Sequence, residues 1–222
     1  THIFLLGYPR SGTTLVENIL AMAPDVVTLE EFPTLKLADL EFLTDKDGLA
    51  KIAAADETAL AKFRNAYWNK VAQSGANAAG KIFIDMDPLK GIRLPIIAKL
   101  FPNAKIILMR RDPRDVVWSC FRTNFALTSA ALEFLTLEQC ARHYDALMKL
   151  TELALKKLPL SVHILRYDQL VHEFEATLQA VCDFADVEWS PEMRHFDRTA
   201  KARVITTASA AQVRRPLYDG TR

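Results

Sequence analysis

The sequence holds no apolar run approaching the roughly 20 residues that a membrane-spanning helix needs, and no segment patterned as a secretory leader. Cysteine is scarce. Cys120, Cys140 and Cys182 show neither a CxxC pair nor a metal-ligand spacing. A sparse, odd set fits reduced thiols in a cytosol, so a cytoplasmic location is expected, although the count stays compatible with one disulfide. The five histidines, His2, His143, His163, His172 and His195, are scattered, and no metal is assigned to them. Charge of one sign is also lacking: 28 Lys and Arg against 27 Asp and Glu leave a net +1. Nothing in that balance steers the chain to nucleic acid or to an anionic membrane. No repeat and no low-complexity linker interrupts the sequence, and its 222 residues suit a single domain, half of them hydrophobic. There is no initiator Met; the chain enters a strand almost at Thr1, which leads us to expect one domain of a longer or trimmed protein.

What is present is alternation. Residues 3–6, 26–29, 81–85, 105–109 and 161–165 read as short strands, several of them continuous apolar runs. Between and after them, residues 13–22, 89–101, 113–122, 137–157 and 174–185 read as helices; residues 33–75 read as mostly helical, with the clearest helix within 50–71, and beyond Trp189 the pattern is irregular. Strands alternating with helices imply an α/β fold, a parallel sheet with helices on both faces. Ligands in such folds lie beyond the carboxyl ends of the strands, and the chemically suggestive residues fall there: 7–14, 85–90, 110–119 and 166–168.

The first strand runs into Gly7-Tyr8-Pro9-Arg10-Ser11-Gly12-Thr13-Thr14. Gly7 and Gly12 have the spacing of GxxxxGK[ST], a loop whose backbone N–H groups cradle an anion at a helix N-terminus. The lysine of that motif is absent; Thr13 stands there. The cradle is kept, the charge for a γ-phosphate is lost, and Arg10 offers charge from within the loop. The same residues also suit an ordinary strand–helix turn with an exposed arginine.

Together with PNAKIILMRRDPRD, RYDQL and QVRRP further on, the loop resembles the sulfotransferases that use 3′-phosphoadenosine 5′-phosphosulfate (PAPS). The likeness is to the branch of tyrosylprotein sulfotransferases and bacterial sulfotransferases with tetratricopeptide repeats, and it extends over nearly the whole chain. The resemblance implies a P-loop-type fold and PAPS as cosubstrate. It implies that Arg10, Ser11, Gly12, Thr13 and Thr14 hold the 5′-phosphosulfate. A sulfuryl group carries less charge than a phosphoryl group, so amides, hydroxyls and one arginine suffice without a metal.

A second anion site is implied at Arg111 and Ser119, as ligands of the 3′-phosphate. A planar, permanently charged guanidinium at a strand end suits that task. Otherwise Arg110, Arg111, Asp112, Arg114 and Asp115 form a structural ion network, and Ser119 bonds its own helix. The resemblance also puts Tyr167 against the nucleotide, Ser209 near the phosphosulfate, and Arg214 or Arg215 near the 3′-phosphate. Tyr167 is equally suited to packing with its hydroxyl at the rim, and the arginines to a surface pair.

Transfer to a hydroxyl needs a base. Glu30 and Glu31 end the second strand region; the resemblance makes Glu31 the catalytic base, while sequence alone leaves a solvent-facing pair open. Adjacent carboxylates raise one another's pKa, which suits a base. One departure stands out: the family lysine two residues before the proline of "FIDMDPLKG" is replaced by Met86, leaving Lys90, Lys81, Arg10 or Ser209 to compensate. Asp85 and Asp87 read as structural or orienting. The leading expectation for residues 1–222 is a sulfotransferase domain, with Glu31, Arg10 and Ser209 catalytic. A P-loop small-molecule kinase and a degenerate nucleotide-binding module are the alternatives. The acceptor, a hydroxyl on peptide tyrosine, carbohydrate or a small molecule, has no readable code, although residues 33–75 and 123–140 are expected to shape its pocket.

Overall fold

The structure is a computed structural model, and it describes residues 1–126, 128–202, 205 and 207–214. Five strands, β1 (His2–Leu6), β2 (Val26–Glu30), β3 (Ile82–Met86), β4 (Lys105–Arg110) and β5 (Ser161–Arg166), form one parallel sheet in the order β2-β3-β1-β4-β5. The helices are α1 (Thr13–Leu20), α2 (Lys36–Phe42), α3 (Gly48–Ala54), α4 (Glu57–Gln73), α5 (Leu94–Leu100) and α6 (Pro113–Arg122), followed by α7 (Ser129–Leu132), α8 (Leu137–Lys157), α9 (Tyr167–His172), α10 (Phe174–Ala185), α11 (Phe196–Ala202) and α12 (Ala210–Val213).

β1 lies between β3 and β4, so both of its edges are paired, and helices cover both of its faces; a continuous apolar run is what such a strand needs. Its side chains divide by alternation. Ile3 and Leu5 enter one core with α1 and α10; Phe4 and Leu6 enter another with α4 and α5. Each fully buried Phe, Leu or Ile stabilises the fold by about 1.5–3 kcal/mol. A third, smaller cluster gathers Tyr8, Val116, Cys120, Phe134, Cys140 and Leu147 beside the loop that follows β1.

The helix expected within residues 50–71 is α4; α3 precedes it, and the two part because Ala55 is extended and the Asp56 carboxylate accepts from Ala59 N at 2.8 Å, starting a new helix. Residues 89–101 begin as a 3-10 helix, Pro88–Arg93, before α5; Asp87 accepts from Leu89 N at 2.9 Å to open it. The region after Trp189, irregular in sequence, forms a 3-10 helix at Pro191–His195 and then α11. Among the described residues no helix is long and apolar enough to cross a membrane. All three cysteines are buried free thiols.

Candidate active site

β1 and β4 are neighbours, so the loops leaving their carboxyl ends meet. In the first, Arg10 has φ 70° and Gly12 φ 110°. Ser11 N donates to Tyr8 O at 3.0 Å, and the Ser11 hydroxyl accepts from Tyr8 N at 3.3 Å, which curls the loop. Gly12 is required there: a Cβ would lie 2.9 Å from both Met109 Cε and Tyr167 Cδ2, at a φ that L side chains rarely adopt. Gly7 is equally hemmed in, since its Cβ would meet the Ser11 hydroxyl at 2.6 Å. Cys120 Sγ donates to Pro9 O at 3.2 Å from α6, pinning the loop from below.

Arg10 is the node of the site. It is buried, at 9% exposure. Nε donates to the Ser119 hydroxyl at 3.1 Å and Nη1 to the Ser209 hydroxyl at 2.7 Å, while Nη2 bonds Gln212 Oε1. Burial pulls its pKa down, and nearby Arg111 adds to that, with Cys120 opposing; a guanidinium stays charged through such shifts. Three residues expected in the nucleotide site, Arg10, Ser119 and Ser209, are thus brought together.

Arg111 stands beside them. Nη1 donates to Arg10 O at 3.4 Å, Nη2 pairs with Asp115 at 3.3 Å, and its guanidinium lies 4.4 Å from the centre of the Tyr167 ring. Nε is buried and finds no hydrogen-bond partner among the described residues. Arg110 pairs instead with Glu152, and Arg114 with Asp112. The expected ion network therefore exists in part and, among the described residues, leaves one donor of Arg111 unused. Thr13 and Thr14 are buried at the start of α1, and Thr14 Oγ1 lies 3.2 Å from Thr207 Oγ1. Arg214 Nε donates to Ala200 O at 3.4 Å, so it is held against α11. Arg215 lies outside the described residues.

On the other side, Glu31 follows β2, with φ 45° and its N–H donating to Met86 O at 2.7 Å. A glutamate in the left-handed region is strained. Surrounding protein, then the charges of Asp87 and Glu30, raise its carboxyl to about 7, against a pull from Lys90. The residue is nonetheless exposed. Solvent therefore screens part of that shift. Glu30 Oε1 accepts from Thr207 N at 3.2 Å, tying Thr207 to the end of β2.

Met86 is fully buried in the core with α1. Lys81 reaches Pro24 O at 3.1 Å, at the amino end of β3, far along the strand from the loop. Lys90 is buried and paired with Asp85. Of the four possible substitutes for the missing lysine, Arg10 and Ser209 remain in the site.

Several contacts escaped the sequence reading. Gln212 sits in the same motif as Ser209, one helical turn on, and the i, i+3 spacing would have found it. Tyr8 OH to His143 Nδ1 at 2.6 Å joins the loop to α8, and no local signal announces it. Two surface grooves of about 460 Å³ lie elsewhere, one along α8 and one at the amino end of the sheet, and neither is lined by the loop after β1, Arg111, Ser119, Glu31 or Ser209.

The sequence model of the Sulfotransferase family matches residues 2–191. An uncharacterized protein of Aquifex aeolicus is 28% identical over 97% of this chain and 29% of its own length. Protein-tyrosine sulfotransferase 1 of Danio rerio is 28% identical over 88% of this chain and 56% of its own length. The chain therefore spans under a third of the first relative and just over half of the second. Among solved structures, a sulfotransferase domain from the curacin biosynthetic pathway superposes with a TM-score of 0.63 at 24% identity, covering 88% of this chain and 77% of that one, a likeness of fold. With the family match running from β1 to the 3-10 helix that follows Trp189, this chain belongs to the sulfotransferase family.

Proposed function

We propose that residues 1–222 act as a PAPS-dependent sulfotransferase domain that sulfates a hydroxyl acceptor, with Glu31 as base. The observation that carries this reading is Arg10, whose guanidinium bonds both Ser119 and Ser209, the residues expected at opposite ends of the nucleotide. The residues present suit that ligand. Arg111 Nε is a buried donor with no partner among the described residues, and the Gly12 turn leaves no room for a side chain beside Tyr167.

Amides of residues 11–14, the Thr14 hydroxyl and Arg10 would hold the 5′-phosphosulfate. Arg111 and Ser119 would hold the 3′-phosphate, and Tyr167 would lie against the nucleotide. When bound, this cosubstrate supplies an activated sulfuryl group. Glu31 takes the proton of the acceptor hydroxyl at its carboxylate. Its raised pKa makes it a competent base near neutrality. Arg10 and Ser209 present N–H and O–H donors where negative charge gathers. Tyr8 and the cluster beneath it exclude water from the underside of the loop. Three buried thiols suit a reducing, cytosolic setting.

Met86 supports a second reading, a nucleotide-binding module without transfer. A buried thioether provides no charge for a leaving group. Incubation with ³⁵S-labelled PAPS and a panel of tyrosyl peptides, sugars and alcohols separates the two. Transfer that disappears in Glu31→Gln supports the enzyme; nucleotide binding with no transfer to any acceptor supports the module.

A further inference from the structure

β3 ends in Asp85-Met86, and the two side chains take opposite faces of the sheet. Met86 packs with α1. Asp85 faces the other core, where Oδ2 accepts from the Thr34 hydroxyl at 2.8 Å and the Tyr67 hydroxyl at 2.8 Å, and Oδ1 pairs with Lys90. The Lys90 and Asp85 side chains are 2% and 0% exposed. Tyr67 OH lies in turn 2.8 Å from His2 Nε2. A buried ion pair is a poor source of stability, because desolvation offsets its attraction. Its place in the fold points to another use.

The pair lies beside the end of β2, because Asp85 is in register with Leu29 and Met86 with Glu30. Glu30 and Glu31 come from the end of β2, Asp87 from the turn after β3. Glu31 N bonds Met86 O, Lys90 N donates to Asp87 O at 3.2 Å, and Gly7 N donates to Pro88 O at 3.3 Å. The turn that carries Lys90 is therefore fastened to the phosphate loop on one side and continues the strand tip that fixes Glu31 on the other. The charged groups acting on Glu31 are Asp87 and Glu30, which oppose its ionisation, and Lys90, which favours it. Glu30 is itself held by Thr207 N.

We propose that Lys90 is a positioning residue for the base: its ammonium, held by Asp85, which Tyr67 and Thr34 hold in turn, offsets the carboxylates beside Glu31 and favours the ionised base for proton abstraction. The proposal rests on the reading of Glu31 as base. Lys90 lies on the face opposite Met86, so it does not stand in for the missing lysine at the leaving group; it acts on the acceptor side of the reaction.

The test uses the full chain and two readouts. The Glu31 carboxyl is titrated by ¹³C NMR, assigned through Glu31→Gln, and the acid limb of transfer is followed against pH. Wild type is compared with Lys90→Gln/Asp85→Asn, which removes both charges and keeps polar partners for Tyr67 and Thr34. Loss of the cation should raise the Glu31 midpoint by at least about half a pH unit, roughly threefold in proton affinity, and the acid limb should move with it. Lys90→Gln alone, in which Asp85 can take up a proton, is read the same way if the double variant does not fold. A folded variant whose Glu31 midpoint stays at the wild-type value overturns the proposal. A midpoint that rises while the acid limb stays fixed removes Glu31 as the base, and the Lys90 role in the reaction with it.

Discussion

Arg10 Nη1 donates to the Ser209 hydroxyl at 2.7 Å, across 199 residues of sequence. The same guanidinium holds Ser119 of α6, so a single side chain joins the loop after β1, the helix after β4 and the carboxyl-terminal segment. Truncating it removes charge and three contacts together. Arg10→Ala should weaken binding of adenosine 3′,5′-bisphosphate by about 10- to 100-fold, since a hydrogen bond to a charged group is worth about 1.5–3 kcal/mol. Calorimetry reads this directly, and an affinity within a factor of two of wild type contradicts it.

Gly12→Ala tests the loop's shape. The added Cβ meets Met109 and Tyr167 at 2.9 Å and imposes φ 110° on an L residue. A loss of about 1–3 kcal/mol is expected from the backbone alone, measured by chemical denaturation, with weakened nucleotide binding beside it. Unchanged stability would mean the turn has another shape.

Glu31 sets the pH dependence. Its folded pKa, about 7, stands above the ordinary value of 4.5. A base must be ionised, so transfer should fall as pH drops through about 7. For stability, a raised folded pKa favours the folded state fully below pH 4.5, and the benefit is lost as pH rises through about 7. Glu31→Gln should therefore melt higher than wild type at pH 8 and gain little at pH 5. The gain is moderated by solvent, because the residue is exposed. A melting difference that is the same at both pH values would show that Glu31 titrates normally.

Asp85→Asn alone leaves Lys90 buried without its counter-charge. Breaking a buried pair on one side costs about 3–5 kcal/mol. Urea unfolding should show that loss, and the double variant with Lys90→Gln should recover much of it. A single variant as stable as wild type would mean that Lys90 reaches water.

Much of this was legible in the sequence where the signal is local. The apolar runs of β1 and β4 mark strands buried on both faces, and Gly7 to Thr14 marks the loop, because left-handed turns and close backbone approach demand glycine. Asp56 is a capping residue whose signal was outweighed by the helical pattern of residues 50–71 around it. Lys90 was illegible in another way. Its burial depends on Asp85 of β3, which accepts from Tyr67 of α4 and from Thr34 in the turn before α2, and until those partners are known a lysine after a strand reads as one free to supply charge to the site. Ser209 and Arg214 share one motif, yet Ser209 turns to the loop and Arg214 to Ala200 of α11. Helical rotation, not proximity in sequence, divides them.

The central claim is that one nucleotide is gripped at both phosphates. Calorimetry of the full chain, without Mg²⁺, compares adenosine 3′,5′-bisphosphate with adenosine 5′-monophosphate. The bisphosphate should bind at least about tenfold more tightly, and Arg111→Ala should erase the difference. Equal affinity for the two nucleotides, or a preference that survives loss of Arg111, contradicts the account.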